Sequence, residues 1–176
     1  MDELVVVTGP PGAGKSSVSE ELAKRWKPSA LVPGDAFFGM IKRGYILPWL
    51  PQAQRQNAVI IEAAAAAAGR LCEICFVVYE GVVGPWLLPT FVRATGLADL
   101  HYVALLPPLD VCIERVRSRV GHGFSDPAVT RDLHRQFAAA VIDARHVIKE
   151  SDSHPAELAE MIKGELGRGT FRYSSP

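Results

Sequence analysis

Residues Gly9, Pro10, Pro11, Gly12, Ala13, Gly14, Lys15 and Ser16 fit the pattern G-x-x-x-x-G-K-[ST]. The chemistry of that pattern is phosphate binding. Gly12 and Gly14 can take backbone angles closed to other residues, so successive N–H groups can point inward at phosphate oxygens. A helix opening at the end of the loop, with Ser17 in its first turn, adds the positive end of its dipole. Lys15 would reach the β- and γ-phosphates of a nucleotide, and the Ser16 hydroxyl would hold Mg²⁺. The flanks agree: an apolar run over residues 4–7 reads as a strand feeding the loop, and residues 17–26 read as a helix leaving it. The structural alternative is a chance glycine-rich turn before a helix.

Two carboxylates stand where such a loop could use them. In open parallel sheets, ligands lie outside the carboxyl ends of the strands, and Asp35 and Glu80 follow the second and third expected strands. Beside a γ-phosphate, Asp35 could accept the proton of an attacking hydroxyl. A helix N-cap at Asp35 is the structural alternative. Glu80 stands where phosphate-loop proteins carry an acid for Mg²⁺ or its waters, more often Asp. It could touch the metal directly, act through a water, bind substrate, or be a solvated turn residue.

Arg115 and Arg119 are four apart and share a helix face. Their forked guanidinium groups suit phosphate, and a solvated helix face is the alternative for each. The segment at about 120–128, with Gly121, His122, Gly123 and Phe124, reads as a small mobile lid. Residues at about 36–57 are rich in aromatics, Gly and Pro and read as an acceptor-binding segment. Phe38 and Arg55 are its expected contacts, with Arg43 and Asn57 as further orienting groups. Trp86 is a contact from beyond the third strand. Core packing explains the same aromatics equally well.

The elements that must position these residues alternate. Strands are expected at 4–7, 30–33, 74–79, 101–106 and 146–149. Helices are expected at 17–26, 52–68, 109–120, 127–140 and 155–166, the last with Ser153 as its cap. Residues 36–51 read as irregular, and the tail after Gly167 as loosely held. Strands alternating with helices predict a parallel sheet covered on both faces. No repeat or long linker divides residues 1–176, so one domain is expected.

Composition narrows the function classes. Nineteen basic and nineteen acidic residues give a net charge of zero, so no basic field invites nucleic acid. No apolar stretch is long enough to span a membrane, and no export signal is expected, which makes the cytoplasm the default. The three cysteines do not form a disulfide framework. Cys72 and Cys75 form a C-x-x-C, for which two packed thiols are expected rather than a redox or zinc pair.

The chain resembles the phosphate-loop small-molecule kinases, a group that includes gluconate kinase, shikimate kinase, zeta-toxin-type kinases and chloramphenicol phosphotransferase-like proteins. The likeness is carried by the loop from Gly9 to Ser16 and by Gly34-Asp35. Glu80-Gly81-Val82-Val83-Gly84-Pro85-Trp86 and the arginines before the Gly-His-Gly-Phe lid add to it. The resemblance implies an α/β, three-layer P-loop NTPase fold with a five-stranded parallel sheet, helices on both faces and a small lid. It implies transfer of the γ-phosphate of ATP to a hydroxyl of a small molecule, with Mg²⁺. Asp35 takes the position of the base in chloramphenicol phosphotransferase-like enzymes, and Lys15 and Arg119 would complete the catalytic set. Ala36-Phe37-Phe38-Gly39-Met40 follows Asp35 where gluconate kinases run toward His-Pro, which argues against gluconate. A toxin-type kinase acting on a sugar nucleotide and a regulatory ATPase module remain the alternatives.

Overall fold

The computed structural model describes residues 3–118 and 126–174. Arg119 and the central part of the expected lid, residues 119–125, lie outside the described residues. The elements run β1 (Leu4–Thr8), α1 (Lys15–Ala23), β2 (Ser29–Pro33), α2 (Gly34–Phe38), α3 (Gln54–Leu71), β3 (Phe76–Glu80) and α4 (Leu88–Thr95). They continue with β4 (Asp99–Leu105), α5 (Leu109–Ser118), α6 (Pro127–Ala139), β5 (Val147–Ile148), α7 (Pro155–Gly167) and β6 (Arg172–Ser174). Five strands form a parallel sheet in the order β2-β3-β1-β4-β5. The sixth, β6, pairs antiparallel with the start of β4.

The apolar strands are buried on both faces, as their unbroken runs require. On one face Leu4, Val6, Val77 and Tyr79 pack with Ile61, Ala64, Ala65 and Ala68 of α3 and with Phe91 and Val92 of α4. On the other, Val5, Val7, Phe76 and Val78 meet Val18 and Leu22 of α1 and Leu158, Ile162 and Leu166 of α7. Among the described residues no helix is long and apolar enough to cross a membrane.

Several expectations change. Helix α4 was not expected at all. Residues 36–38 belong to a short helix rather than to an irregular segment. The tail is packed: Phe171 is buried against the α1/α7 face, and β6 follows it. The cap of α7 is His154 rather than Ser153. The His154 imidazole accepts from the Ala156 N–H at 3.3 Å, and Glu157 accepts from the His154 N–H at 3.2 Å. Cys72 and Cys75 are buried, and their thiols donate to the carbonyls of Ala68 and Leu71, so both are packed thiols.

Helix α3 runs through Gly69 to Leu71 instead of ending there. Its alanines and Gly69 let α4 approach closely. A Cβ on Gly69 would fall 2.0 Å from the Thr95 carbonyl oxygen at the end of α4. Gly164 of α7 faces open space instead. Gly69→Ala should therefore lose stability, by about 1–3 kcal/mol from overpacking, although alanine is the better helix former. Gly164→Ala should gain about 0.5–1 kcal/mol. Denaturant unfolding of the two variants checks both signs, and a stabilised Gly69→Ala would show that α3 and α4 are not in close contact.

Candidate active site

The phosphate loop leaves β1 at Thr8, and its glycines are required by what lies beneath them. Gly9, Gly12 and Gly14 have φ of 144°, 80° and 93°. A Cβ on Gly9 would fall 2.2 Å from the carbonyl oxygen of Leu105 in β4, and one on Gly12 equally close to that of Cys112 in α5. Pro10 is buried and Pro11 half-buried, and the Pro10 carbonyl accepts from the Ala13 N–H at 3.2 Å and from the Lys15 ammonium at 3.1 Å. Gly14, in the left-handed region, is the N-cap of α1, which opens at Lys15. Ser16 and Ser17 are exposed in its first turn.

The sheet register brings the first carboxylate to this loop. Glu80 pairs laterally with Val7 of β1 on one side and with Pro33 of β2 on the other. It is 9% exposed, and its Oε1 accepts from the Ser16 hydroxyl at 3.2 Å. Glu80 is therefore not a solvated turn residue. A hydroxyl and a carboxylate that converge beside a phosphate loop are hard oxygen donors, which fit Mg²⁺.

Asp35 follows directly, in the first turn of α2, and is exposed. The N-cap of that helix is Pro33, and no side chain caps it, so the capping alternative for Asp35 does not hold. The carboxylate is felt nearby. Burial first, and then the Asp35 charge, push the Tyr45 phenol above its ordinary range.

Arg115 is half-buried rather than on a solvated face. It donates to the Ser151 carbonyl at 2.8 Å, and its guanidinium lies 3.7 Å from where a Cβ on Gly14 would sit. Burial pushes the Cys112 thiol up to about 11, while the Arg115 and Lys15 cations pull it the other way. The two cations thus flank the same patch under the loop.

The segment expected to bind an acceptor is pinned at the start of α3. The Gln56 amide accepts from the Ile46 N–H at 2.9 Å and donates to the Ile46 carbonyl at 2.6 Å, and Asn57 donates to the Pro48 carbonyl at 2.7 Å. Asn57 therefore holds the segment. Phe38 is half-buried, and Arg43 and Arg55 are exposed. Trp86 turns toward α6, its ring edge-on to Phe137 at 5.3 Å. It lines a surface groove with Pro85, Gln136 and Val141 that no phosphate-loop residue borders.

Sequence reasoning missed Thr8 and Ser151. The Thr8 hydroxyl accepts from the Val83 N–H at 2.8 Å and donates to the Val83 carbonyl at 3.2 Å. The Tyr102 hydroxyl adds a bond to the same carbonyl at 2.7 Å. This ties the turn after β3 to the start of the phosphate loop. The available signal was a polar residue ending an otherwise apolar run. Ser151 acts through its carbonyl, for which a sequence carries no signal.

Residues 4–142 match the AAA domain family. A UPF0200 protein of Thermococcus gammatolerans is 31% identical over 189 residues, covering 94% of this chain and 98% of that protein. A sugar kinase from a Janibacter species superposes with a TM-score of 0.72 at 17% identity, over 95% of each chain. The tunicamycin resistance protein of Deinococcus radiodurans gives 0.67 at 18% identity, over 95% of this chain and 96% of that one. The APS kinase of Mycobacterium tuberculosis gives 0.67 at 17%, over 94% and 97%. At these identities the likeness is one of fold, the α/β fold of P-loop kinases. With the family match spanning most of its length, the chain belongs to the AAA domain family.

Proposed function

We propose that this chain is an ATP-dependent phosphotransferase that moves the γ-phosphate of ATP to a hydroxyl of a small molecule. The observation that carries the reading is the Ser16–Glu80 hydrogen bond at the mouth of a complete phosphate loop, with Asp35 on the next turn. ATP as donor points to the cytoplasm as the place of work.

The loop's N–H groups and the start of α1 would cradle the phosphates, with Gly14 leaving the Arg115 guanidinium room beside them. Lys15 would exchange its Pro10 carbonyl for β- and γ-phosphate oxygens. Ser16 and Glu80 would hold Mg²⁺, directly or through its waters, and the ion would supply charge neutralisation on the phosphates. Asp35 would take the proton of the acceptor hydroxyl as its oxygen forms a bond to the γ-phosphorus. The bond to the β–γ bridging oxygen then breaks, and ADP leaves. Neutralisation of developing charge by fixed cations supplies most of the rate.

The kinases among the structural neighbours are named for different substrates, so the shared fold supports the reaction type and not the acceptor. The acceptor segment itself gives the better guide. Met40, Tyr45, Leu47, Trp49 and Leu50 are all at least 40% exposed, with Arg43 and Arg55 as polar handles. That surface favours an alcohol with an apolar or aromatic body over a bare sugar acid.

A panel of sugars, sugar nucleotides, aromatic alcohols and antibiotics, assayed for acceptor-dependent ADP release, tests the proposal. One compound should stimulate turnover. ATP hydrolysis indifferent to every compound would favour a regulatory ATPase instead. Lys15→Ala should abolish turnover and weaken ATP binding with an unchanged melting temperature, and near-normal activity would remove the loop from the mechanism. Asp35→Asn should lower turnover by about 10²–10⁴-fold at nearly unchanged ATP affinity, which kcat and the KM for ATP report separately. Glu80→Gln should raise the Mg²⁺ concentration needed for half-maximal turnover, whereas an unchanged Mg²⁺ titration would assign Glu80 to structure alone.

A further inference from the structure

Tyr79, in β3 just before Glu80, has no part in the reading so far. It is 2% exposed. Its ring stands edge-on to Phe91 of α4 with the centroids 4.7 Å apart. Its hydroxyl lies against both turns that carry the carboxylates of the site. A Cβ on Gly34, beside Asp35, would fall 2.3 Å from that oxygen, and one on Gly81, beside Glu80, would fall 2.9 Å from it. Any side chain at either glycine would displace the hydroxyl.

A buried hydroxyl without a partner is costly, yet among the described residues none makes a hydrogen bond to this one. A buried tyrosine thus places one polar atom between the two turns.

Strand alternation decides which ligand it faces. Side chains of successive strand residues point to opposite faces. Glu80 reaches the hydroxyl of Ser16 in α1, on the phosphate side. Tyr79 packs on the opposite face, in the cluster that includes Ile61 of α3 and against which Phe37 of α2 rests. That is the side of the acceptor segment. A phenol in its ordinary neutral form is a hydrogen-bond donor.

We propose that the Tyr79 hydroxyl is an acceptor-binding group that donates a hydrogen bond to an oxygen of the acceptor beside Asp35, fixing the reacting hydroxyl against the base. The proposal rests on the phosphotransferase reading. Tyr79 transfers no proton; Asp35 alone takes the one released.

Tyr79→Phe removes only the hydroxyl and keeps the ring on Phe91. The assay is steady-state turnover by the full chain with MgATP, with and without the compound of the panel that stimulates ADP release most. The acceptor kcat/KM should fall about tenfold, the value of one lost hydrogen bond to substrate. The KM for ATP and the melting temperature should stay as in the wild type. Acceptor kinetics equal to the wild type would overturn the inference. So would a uniform loss of ATP and acceptor parameters together with a lower melting temperature, which would make Tyr79 a packing residue. A wild type that no compound stimulates would instead remove the phosphotransferase reading and this inference with it, and that result is seen before any substitution is made.

Discussion

The site depends on the lateral pairing of Glu80 with Val7 and with Pro33. Neighbouring strands lie about 4.8 Å apart, so three strand ends in one register start their turns within roughly 10 Å of each other. The phosphate loop, Asp35 and Glu80 come from residues far apart in the chain, and no local interaction brings them together. What fixes the register is burial. The strand residues pack against α3 and α4 on one face and α1 and α7 on the other. A one-residue slip of β3 would exchange the faces of Tyr79 and Glu80 and drive a carboxylate into the apolar layer over Phe91.

The phosphate loop is shaped from below. Gly9 rests on a carbonyl of β4 and Gly12 on a carbonyl of α5. The positive φ at these positions is one reason for glycine, and the missing Cβ is another. Thr8 then braces the loop sideways by satisfying both backbone groups of Val83, and Tyr102 shares the Val83 carbonyl. Strands β1 and β4 and the turn after β3 therefore meet at the point where the chain turns into the loop. Such bracing keeps the loop's N–H groups aligned before any phosphate arrives, which lowers the ordering cost of binding.

What was legible in the sequence follows from signal strength. The phosphate loop was legible because glycine, lysine and serine at fixed spacing have few other uses. The continuous apolar runs gave the central strands for a similar reason, since only a doubly covered sheet buries them. Helix α4 was not legible. Its buried residues Leu88, Phe91, Val92 and Thr95 do keep a helical spacing, but it has only eight residues and begins with Leu88-Pro89, right after the Gly84-Pro85 turn, so the period runs for two turns amid breaker residues. Strand β6 has three residues, and its place is fixed by the start of β4 and by the buried Phe171. The partners of Arg115 and Thr8 are backbone groups of Ser151 and Val83, which any residue type supplies equally. Sequence reading finds side-chain chemistry, and part of this site is main-chain geometry.

The same distinction explains how 17% identity can accompany a TM-score of 0.72. The phosphate half of the site is made of strand register, glycines and N–H groups, and these tolerate change at most other positions. On the proposed reading the acceptor half would be made of side chains, on the pinned segment between α2 and α3 and on the far face of β3. It can diverge without disturbing the phosphate half, because strand alternation puts the two on opposite sides of one strand. Tyr79 and Glu80 are adjacent in sequence and yet lie on opposite faces of β3. On the proposed reading, a substitution on the Tyr79 side would alter what is bound, and one on the Glu80 side whether a phosphate can be held. A fold of this kind can therefore change acceptors by small steps while its donor chemistry stays fixed.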